Sequence, residues 1–281
     1  MKRYCDLHAH TRYSDGTYTP QELVDLAEEI GLSAVALTDH NNVGGLTEFL
    51  KAGEGKKVET VAGVEFSTDY LDTELHILGL FIKPQDFDKI TALFFDMGKR
   101  KEESNQLLAE NLKKAGYDIE YAEVKVRTAN GHVNRTHFAE VLMEKGYVSS
   151  IAEAFDGVLS KGNGFYVQPK RLDAFETISF IKSIGAVSVL AHSFLNLDEE
   201  GLRIFLPKAI ELGLDGMETV YSTYDKETEE KARRIAKEFG LLESGGSDFH
   251  GTRKPDIRLG IGKGNLAVPE EFFQKLKERA K

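Results

Sequence analysis

Three short clusters combine histidine with carboxylate: Asp6-Leu7-His8-Ala9-His10, Asp39-His40 and Asp248-Phe249-His250. Glu65, His76 and His192 lie singly between them. Imidazole and carboxylate together suit Mn, Fe or Zn. Each of these residues follows or ends a short apolar run that reads as a strand. Several ligands converge only where several strand ends converge, as at one end of a barrel.

His8 and His10 are two residues apart at a strand end and share a face. Asp6 shares that face one pleat deeper, where its expected role is to accept an imidazole N–H. Adjacent strand residues point oppositely, so of Asp39 and His40 the histidine is the candidate ligand. Asp39 is expected to orient a ligand or to cap Asn41-Asn42. Asp248 and His250 repeat the spacing of His8 and His10, after a small-residue stretch, Ser244-Gly245-Gly246-Ser247, that lets backbone approach a ligand. Glu65 closes the apolar run Val61-Ala62-Gly63-Val64, where an unpaired carboxylate is expensive to bury. Bridging two metals would satisfy both its oxygens. Single histidines such as His76 and His192 are more often packed than ligating, but their placement at strand ends makes them candidates too. Asp15, in Tyr13-Ser14-Asp15-Gly16, is either a turn residue or a ligand of a third ion.

A second kind of chemistry resides in Asn130-Gly131-His132-Val133-Asn134-Arg135-Thr136-His137. With Thr136 as a helix N-cap, Arg135 and His137 would grip an anion at the helix start. A solvated helix terminus is the competing reading. Lys170-Arg171 is a further basic pair. Walker A, GxGxxG and GxSxG patterns are absent, which leaves P-loop hydrolysis, dinucleotide redox chemistry and a hydrolase triad without support.

The elements that must position these residues alternate. Strands are expected at 3–8, 33–38, 58–64, 75–82, 186–191, 216–220 and 241–245. The helix after Thr19 carries a capping box, Thr19-Pro20-Gln21-Glu22, and stops at Gly31. Residues 86–115 read as a long charged helix, 136–156 as one or two short helices, and the segment after Pro269 as a terminal helix. Strands separated by helices favour a parallel sheet, here closed into a barrel formed by 1–96 and 169–281, with 97–168 as a helical insertion.

At 281 residues, with 41% hydrophobic and 29% charged side chains, the chain suits one large soluble domain or one with an insertion. It shows no 18-residue apolar run and no apolar leader, so neither a membrane span nor a secretory signal is expected. Cys5 is the one cysteine, which excludes thiolate metal sites and makes a reducing cytoplasm the expected compartment. A net charge of -10 argues against duplex nucleic acid and against processive action on long strands. It permits a small anionic substrate, because bound divalent cations invert the local charge.

Taken together, DLHAHTRYSDGTYTP, LTDH, GVEFS, ELHILG, LAH and GGSDFH resemble the PHP (polymerase and histidinol phosphatase) family of metal-dependent phosphoesterases. The resemblance implies a distorted seven-stranded β/α barrel with a trinuclear metal site at its C-terminal mouth. It implies that His8, His10, Glu65 and Asp248 hold one metal, Glu65, His76 and His192 a second, and Asp15, His40 and His250 a third. The first-motif spacing and the insertion sequence GHVNRTHFAEVLMEKGYV resemble a stand-alone bacterial branch acting on nucleoside phosphates, including nucleoside 3′,5′-bisphosphates and short RNA 5′ ends. In that branch the insertion covers the mouth and its Arg and His contact substrate. Asn134 stands where that branch is expected to carry Gly, and Gln168-Pro169-Lys170 departs from its pocket loop.

The expected function is therefore hydrolysis of nucleotide phosphomonoesters or short oligonucleotides with two to three divalent ions (Mn, Fe or Zn) and no organic cofactor. A hydroxide bridging two metals would attack phosphorus in line. Arg135, His137, Lys170 and Arg171 are the expected substrate contacts. The competing readings are a histidinol-phosphate or other small-metabolite phosphatase, and a noncatalytic metal-binding regulatory module. The latter would have lost ligands, yet every candidate position carries a ligand-competent residue. Oligomeric state is not legible.

Overall fold

The computed structural model describes residues 3–127, 133–169 and 171–280. They form two compact units, Met1–Ala92 with Arg171–Lys281, and Leu93–Lys170.

The first unit is an α/β barrel. Its strands are β1 (Tyr4–Asp6), β2 (Ala34–Leu37), β3 (Glu59–Tyr70), β4 (Thr73–Leu80), β5 (Leu172–Asp173), β6 (Val187–Leu190), β7 (Gly216–Tyr221), β8 (Leu242–Gly246) and β9 (Val268–Pro269). The spatial order is β8-β7-β6-β4-β3-β2-β1-β9, with β5 against β3. The ends of this sheet come together. Leu7 N–H donates to Gly245 O at 3.1 Å, Asp248 N–H to His8 O at 2.9 Å and His10 N–H to Phe249 O at 2.8 Å. Gly246 leaves no room for a Cβ, because the backbone and Cβ of His8 fill that space. These contacts draw the segments after β1 and β8 together.

Seven strands lie near their expected positions, but β3 runs on past 64 to Tyr70, so Glu65 stands inside a strand and not at its end; β5 and β9, two residues each, are too short to read from sequence. The expectation of a wholly parallel sheet is corrected at β4. β3 and β4 form an antiparallel hairpin with Glu65 opposite Leu78 and Ser67 opposite His76. β4 also runs antiparallel to β6. The hairpin turns through Leu71 and Asp72, at φ 48° and 63°. This is the doubly left-handed backbone of a turn that matches strand twist.

Helices α1 (Pro20–Glu29), α2 (Leu46–Ala52), α7 (Ala174–Ser183), α8 (Glu199–Leu212), α9 (Lys226–Phe239) and α10 (Glu270–Arg279) belong to this unit. The α1 capping box is present. Thr19 Oγ1 accepts Glu22 N–H at 3.1 Å, and Glu22 Oε2 accepts Thr19 N–H at 2.8 Å. β2 is buried at every residue, as its continuous apolar sequence requires. Leu7, Ala36, Leu78, Leu80, Val189 and Val220 are among those that fill the barrel core.

The second unit is helical. α3 (Phe87–Lys114) begins in the barrel unit and continues into this one, followed by α4 (Tyr121–Lys125), α5 (Arg135–Glu144) and α6 (Ile151–Asp156). It has its own core, including Leu108, Leu112, Val124, Phe138, Val141 and Leu142. Side-chain amides on α3 hold its loops: Asn105 donates to Val133 O at 3.0 Å and Asn111 to Phe165 O at 2.9 Å.

Candidate metal centre

The candidate ligands gather at one end of the barrel around Glu65. Its Oε2 lies 3.1 Å from His8 Nε2, 3.2 Å from His10 Nε2 and 3.1 Å from His40 Nδ1. Its Oε1 lies 2.6 Å from His76 Nδ1 and 3.0 Å from His192 Nε2. One carboxylate thus faces two groups of imidazoles through its two oxygens. His8, His10 and His40 reach it from just beyond β1 and β2, and His192 from beyond β6. His76 reaches it from within the first half of β4, opposite Ser67, and not from a strand end. The antiparallel turn brings that part of β4 to the same end of the barrel.

Asp248 closes one side. Its Oδ1 is 3.1 Å from His10 Nε2 and 3.7 Å from His8 Nε2. Asp15 closes another, with Oδ1 at 3.2 Å from His250 Nε2 and Oδ2 at 3.9 Å from His40 Nε2. Three groups have donor atoms all within 4.8 Å of one another: His8, His10, Glu65 and Asp248; His40, Glu65 and His76; and His10, Asp15, His40 and His250. His192 joins the second side through Glu65 Oε1, and both nitrogens of His10 face carboxylates.

Both ring nitrogens of His10, and Nδ1 of His40 and of His192, are buried without a hydrogen bond. Buried polar atoms are rarely left so. His10 Nε2 and His40 Nδ1 lie close to carboxylate oxygens yet off hydrogen-bond geometry, as donors aimed at a shared cation would. The residues present therefore fit divalent ions.

Burial and the facing charges set the protonation of these groups. Burial opposes protonation of His10, but the carboxylates of Asp248 and Glu65 facing its Nε2 outweigh it and raise its pKa to about 9. His76 is likewise opposed by burial and raised to about 9 by Glu65 and Glu74. Burial pushes His40 down to about 4. Burial works against ionisation of Glu65 and Asp248, yet the facing imidazoles hold both well below the usual carboxylate range.

Residues behind the candidate ligands decide their orientation. Glu218, buried on β7, accepts from His8 Nδ1 at 3.0 Å and from the His192 backbone N–H at 2.6 Å. Sequence reasoning passed over it. The clue was the one that flagged Glu65, a carboxylate inside a wholly buried apolar strand. Asp248 Oδ2 accepts from Tyr221 Oη at 2.8 Å and from Lys254 Nζ at 2.8 Å, contacts equally unforeseen. Asp39 accepts from Thr11 N–H at 2.7 Å, Thr11 Oγ1 at 2.5 Å and Ser14 Oγ at 2.6 Å. It holds the loop that carries Asp15 and caps neither Asn41 nor Asn42. Asp6 is also corrected: it takes the backbone N–H groups of His8 at 3.3 Å, Ser247 at 2.9 Å and Gly260 at 2.7 Å, and no imidazole. His192 and Asp248 have φ of 25° and 57°, left-handed backbone that ordinary side chains rarely adopt. Such strain concentrates at functional sites.

The basic candidates separate. In the helical unit Asn134, not Thr136, caps α5: its Oδ1 accepts Thr136 N–H at 3.0 Å, and its own N–H donates to His137 Nδ1 at 3.0 Å. Arg135 in the first turn stacks 4.7 Å from the Tyr166 ring and 5.4 Å from that of Phe155. In the barrel unit Arg171 is held by Asp69 at 3.2 Å and Glu74 at 2.7 Å. Glu74 is 3.4 Å from His76 Nε2, so Arg171 braces a candidate ligand. Lys170 and His132 lie outside the described residues. Over the ligands opens a cleft of about 390 Å³ whose rim includes Leu195, Asn196 and Lys254.

The family model described as PHP domain matches residues 6–167. The 5′-3′ exoribonuclease of Haemophilus influenzae is 34% identical over 255 residues, covering 89% of this chain and 91% of its own length. The chain belongs to the PHP family. The 3′,5′-nucleoside bisphosphate phosphatase of Chromobacterium violaceum is 30% identical over 247 residues, covering 87% of this chain and 86% of that protein. A Bifidobacterium adolescentis structure assigned as a metal-dependent phosphoesterase superposes with a TM-score of 0.71 at 28% identity, covering 99% of this chain and 97% of that one. The PHP barrel fold and a metal-dependent phosphoesterase activity follow. Among the described residues no helix is long and apolar enough to cross a membrane.

Proposed function

We propose that this PHP phosphoesterase hydrolyses phosphate esters of nucleotides: nucleoside 3′,5′-bisphosphates or the 5′ ends of short RNA. The observation that carries the reading is Glu65, buried and facing imidazoles through both oxygens. His8, His10, Glu65 and Asp248 would hold one divalent ion, Glu65, His76 and His192 a second, and Asp15, His40 and His250 a third. Mn, Fe and Zn fit this thiolate-free donor set. Such ions supply charge neutralisation at the phosphoryl oxygens and a lowered pKa for water.

The remaining work belongs to the chain. Glu218 fixes the His8 ring, so that Nε2 is the nitrogen left to ligate. Lys254, with 41% of its side chain exposed at the cleft, offers an ammonium to a phosphoryl oxygen. Arg135 presents a guanidinium already oriented by two rings, and with His137 is the contact proposed for the second phosphate of a bisphosphate. Arg171 is occupied by two carboxylates and positions His76 through Glu74 instead. The residues 97–168 are then the substrate-recognising part, and the names of the exoribonuclease and bisphosphate-phosphatase relatives support this substrate class.

The test is metal analysis of protein purified without chelators, with phosphate release from adenosine 3′,5′-bisphosphate, AMP, histidinol phosphate and a 5′-phosphorylated trinucleotide. Preference for the bisphosphate or trinucleotide is expected. Turnover of histidinol phosphate alone would replace the nucleotide reading, and turnover unchanged by chelation would reject the metal reading.

A further inference from the structure

Beside the metal cleft the barrel unit carries a second, larger cavity of about 610 Å³ that the chemistry so far does not use. The two share a wall, the turn Leu195-Asn196 that follows His192. Both volumes lie in the range of about 300–1,000 Å³ typical of small-molecule sites. We infer that this second cavity is a nucleoside subsite. It would hold the base and ribose of the second nucleotide when the ester in the cleft is a diester.

Connectivity comes first. A phosphomonoester leaves nothing beyond its phosphorus, whereas a phosphodiester carries a second esterified group that must leave the cleft on another side. The ledge is Leu195, which is 55% exposed and stands on a turn held by the Leu195 N–H bond to His192 O at 2.9 Å. An exposed leucine between two cavities offers an apolar face for a base. Behind it the wall is braced: Phe194 N–H donates to Tyr224 Oη at 2.9 Å, and the two rings meet edge-on at 6.1 Å. The Asn196 amide makes no side-chain hydrogen bond among the described residues and can serve a base edge.

Charge then selects the occupant. The cation on the cavity wall, Lys231, is paired with Glu227 at 2.6 Å. The wall's carboxylates are also engaged: Asp198 accepts Gly201 N–H at 2.8 Å, and Glu199 pairs with Arg203 at 3.1 Å and Arg234 at 3.2 Å. With no uncommitted cation and two carboxylates, the cavity disfavours another phosphate and suits a neutral ring with exocyclic donors. The reaction it serves is hydrolysis of a phosphodiester. A water oxygen bonds to phosphorus, the bond from phosphorus to the first nucleotide's ribose oxygen breaks, and that oxygen takes the proton. The phosphate stays on the second nucleoside.

This inference rests on the nucleotide reading above, and the experiment separates the two. Thr223→Trp fills the cavity from an exposed position, and Lys231→Trp fills it from α9; neither touches a candidate ligand. kcat/KM is compared on adenosine 3′,5′-bisphosphate and on a 5′-phosphorylated diadenylate. In parallel, isothermal titration with both compounds on chelated protein reads binding without turnover. Each variant is expected to lower kcat/KM and affinity for the diadenylate about tenfold or more while leaving the bisphosphate within about twofold, which also reports that the variant is folded. Diadenylate values unchanged in both variants, or equal losses on both compounds in both variants, would overturn the subsite. Wild-type protein that hydrolyses the bisphosphate but not the diadenylate would overturn it too while leaving the nucleotide reading in place. Failure on both compounds would remove that reading and the subsite with it.

Discussion

Glu65 and Glu218 divide the labour at the site. Glu65 faces every candidate imidazole except that of His250, whereas Glu218 touches only His8 and the backbone of His192. Glu65→Gln is expected to abolish phosphate release and lower metal content together, measured by elemental analysis and a phosphate assay on the same sample. Glu218→Gln keeps the shape but alters which His8 nitrogen carries the proton. It should weaken metal affinity or activity by roughly 10–100-fold, the scale for a residue that orients a ligand; full metal retention with normal kcat would show that Glu218 only fills the barrel. Arg135→Ala removes a stacked guanidinium. It should cost the helical unit about 0.5–1 kcal/mol and lower kcat/KM on adenosine 3′,5′-bisphosphate by roughly ten- to a hundredfold, the scale of losing one charge-assisted contact. Equal, negligible losses on the bisphosphate, AMP and an aryl phosphate would show that it does not read the nucleotide. At this scale the convergence of the candidate ligands is legible because histidine and carboxylate clusters stand out against apolar runs. Tyr221 and Lys254 are not, since a tyrosine in a strand and a lysine in a loop look the same whether or not they reach a metal ligand.

At the level of elements, the departure from expectation was the β3–β4 hairpin. A tight hairpin is usually announced by Asn-Gly or Asp-Gly, and here the turn pair is Leu71-Asp72. Nothing in that dipeptide distinguishes it from a strand running into a crossover. Leu71 pays for this conformation: it is 80% exposed and sits at φ 48°. Left-handed backbone costs an ordinary residue roughly 1–2 kcal/mol. Leu71→Asn should therefore stabilise the barrel unit by about 0.5–1 kcal/mol, since Asn tolerates this backbone and little packing is lost. Urea unfolding reads this, and a fall in stability would mean that the leucine makes a contact worth more than the strain. The helix boundaries were more legible, because capping boxes and C-terminal glycines are local signals. The true cap of α5 was misread because Thr136 and Asn134 are both competent and only the fold chooses.

For the whole molecule, the metal-free site should impose a pH profile on stability. His10 and His76 rise from 6.5 to about 9 in the folded chain, so their contribution is complete below pH 6.5 and is lost as pH climbs to about 9. His40, lowered from 6.5 to about 4, acts oppositely: its contribution is complete above pH 6.5 and fades as pH falls to about 4. Chelated protein should therefore melt highest near pH 6.5 and lower on either side. Metal-loaded protein should melt several degrees higher, because the ions replace those protons; an ion at 100 times its Kd adds about 2.7 kcal/mol. Calorimetry across pH 4–10 decides, and a flat profile for chelated protein would reject the charge arrangement. The helical unit has its own core and, among the described residues, no candidate ligand, so its melting should be indifferent to metal.

The seam between the segments after β1 and β8 has a consequence in time. Once residues 1–200 have left the ribosome, His8, His10, Asp15, His40, Glu65, His76 and His192 are already exposed. Asp248 and His250, and the backbone bonds from Leu7 to Gly245 and from Asp248 to His8, do not yet exist. Chains emerge at about 5–20 residues per second, so the nascent chain spends seconds with an incomplete nest of imidazoles open to whatever ion is most abundant. A chain stalled before Gly245 would be a metal trap without a phosphatase.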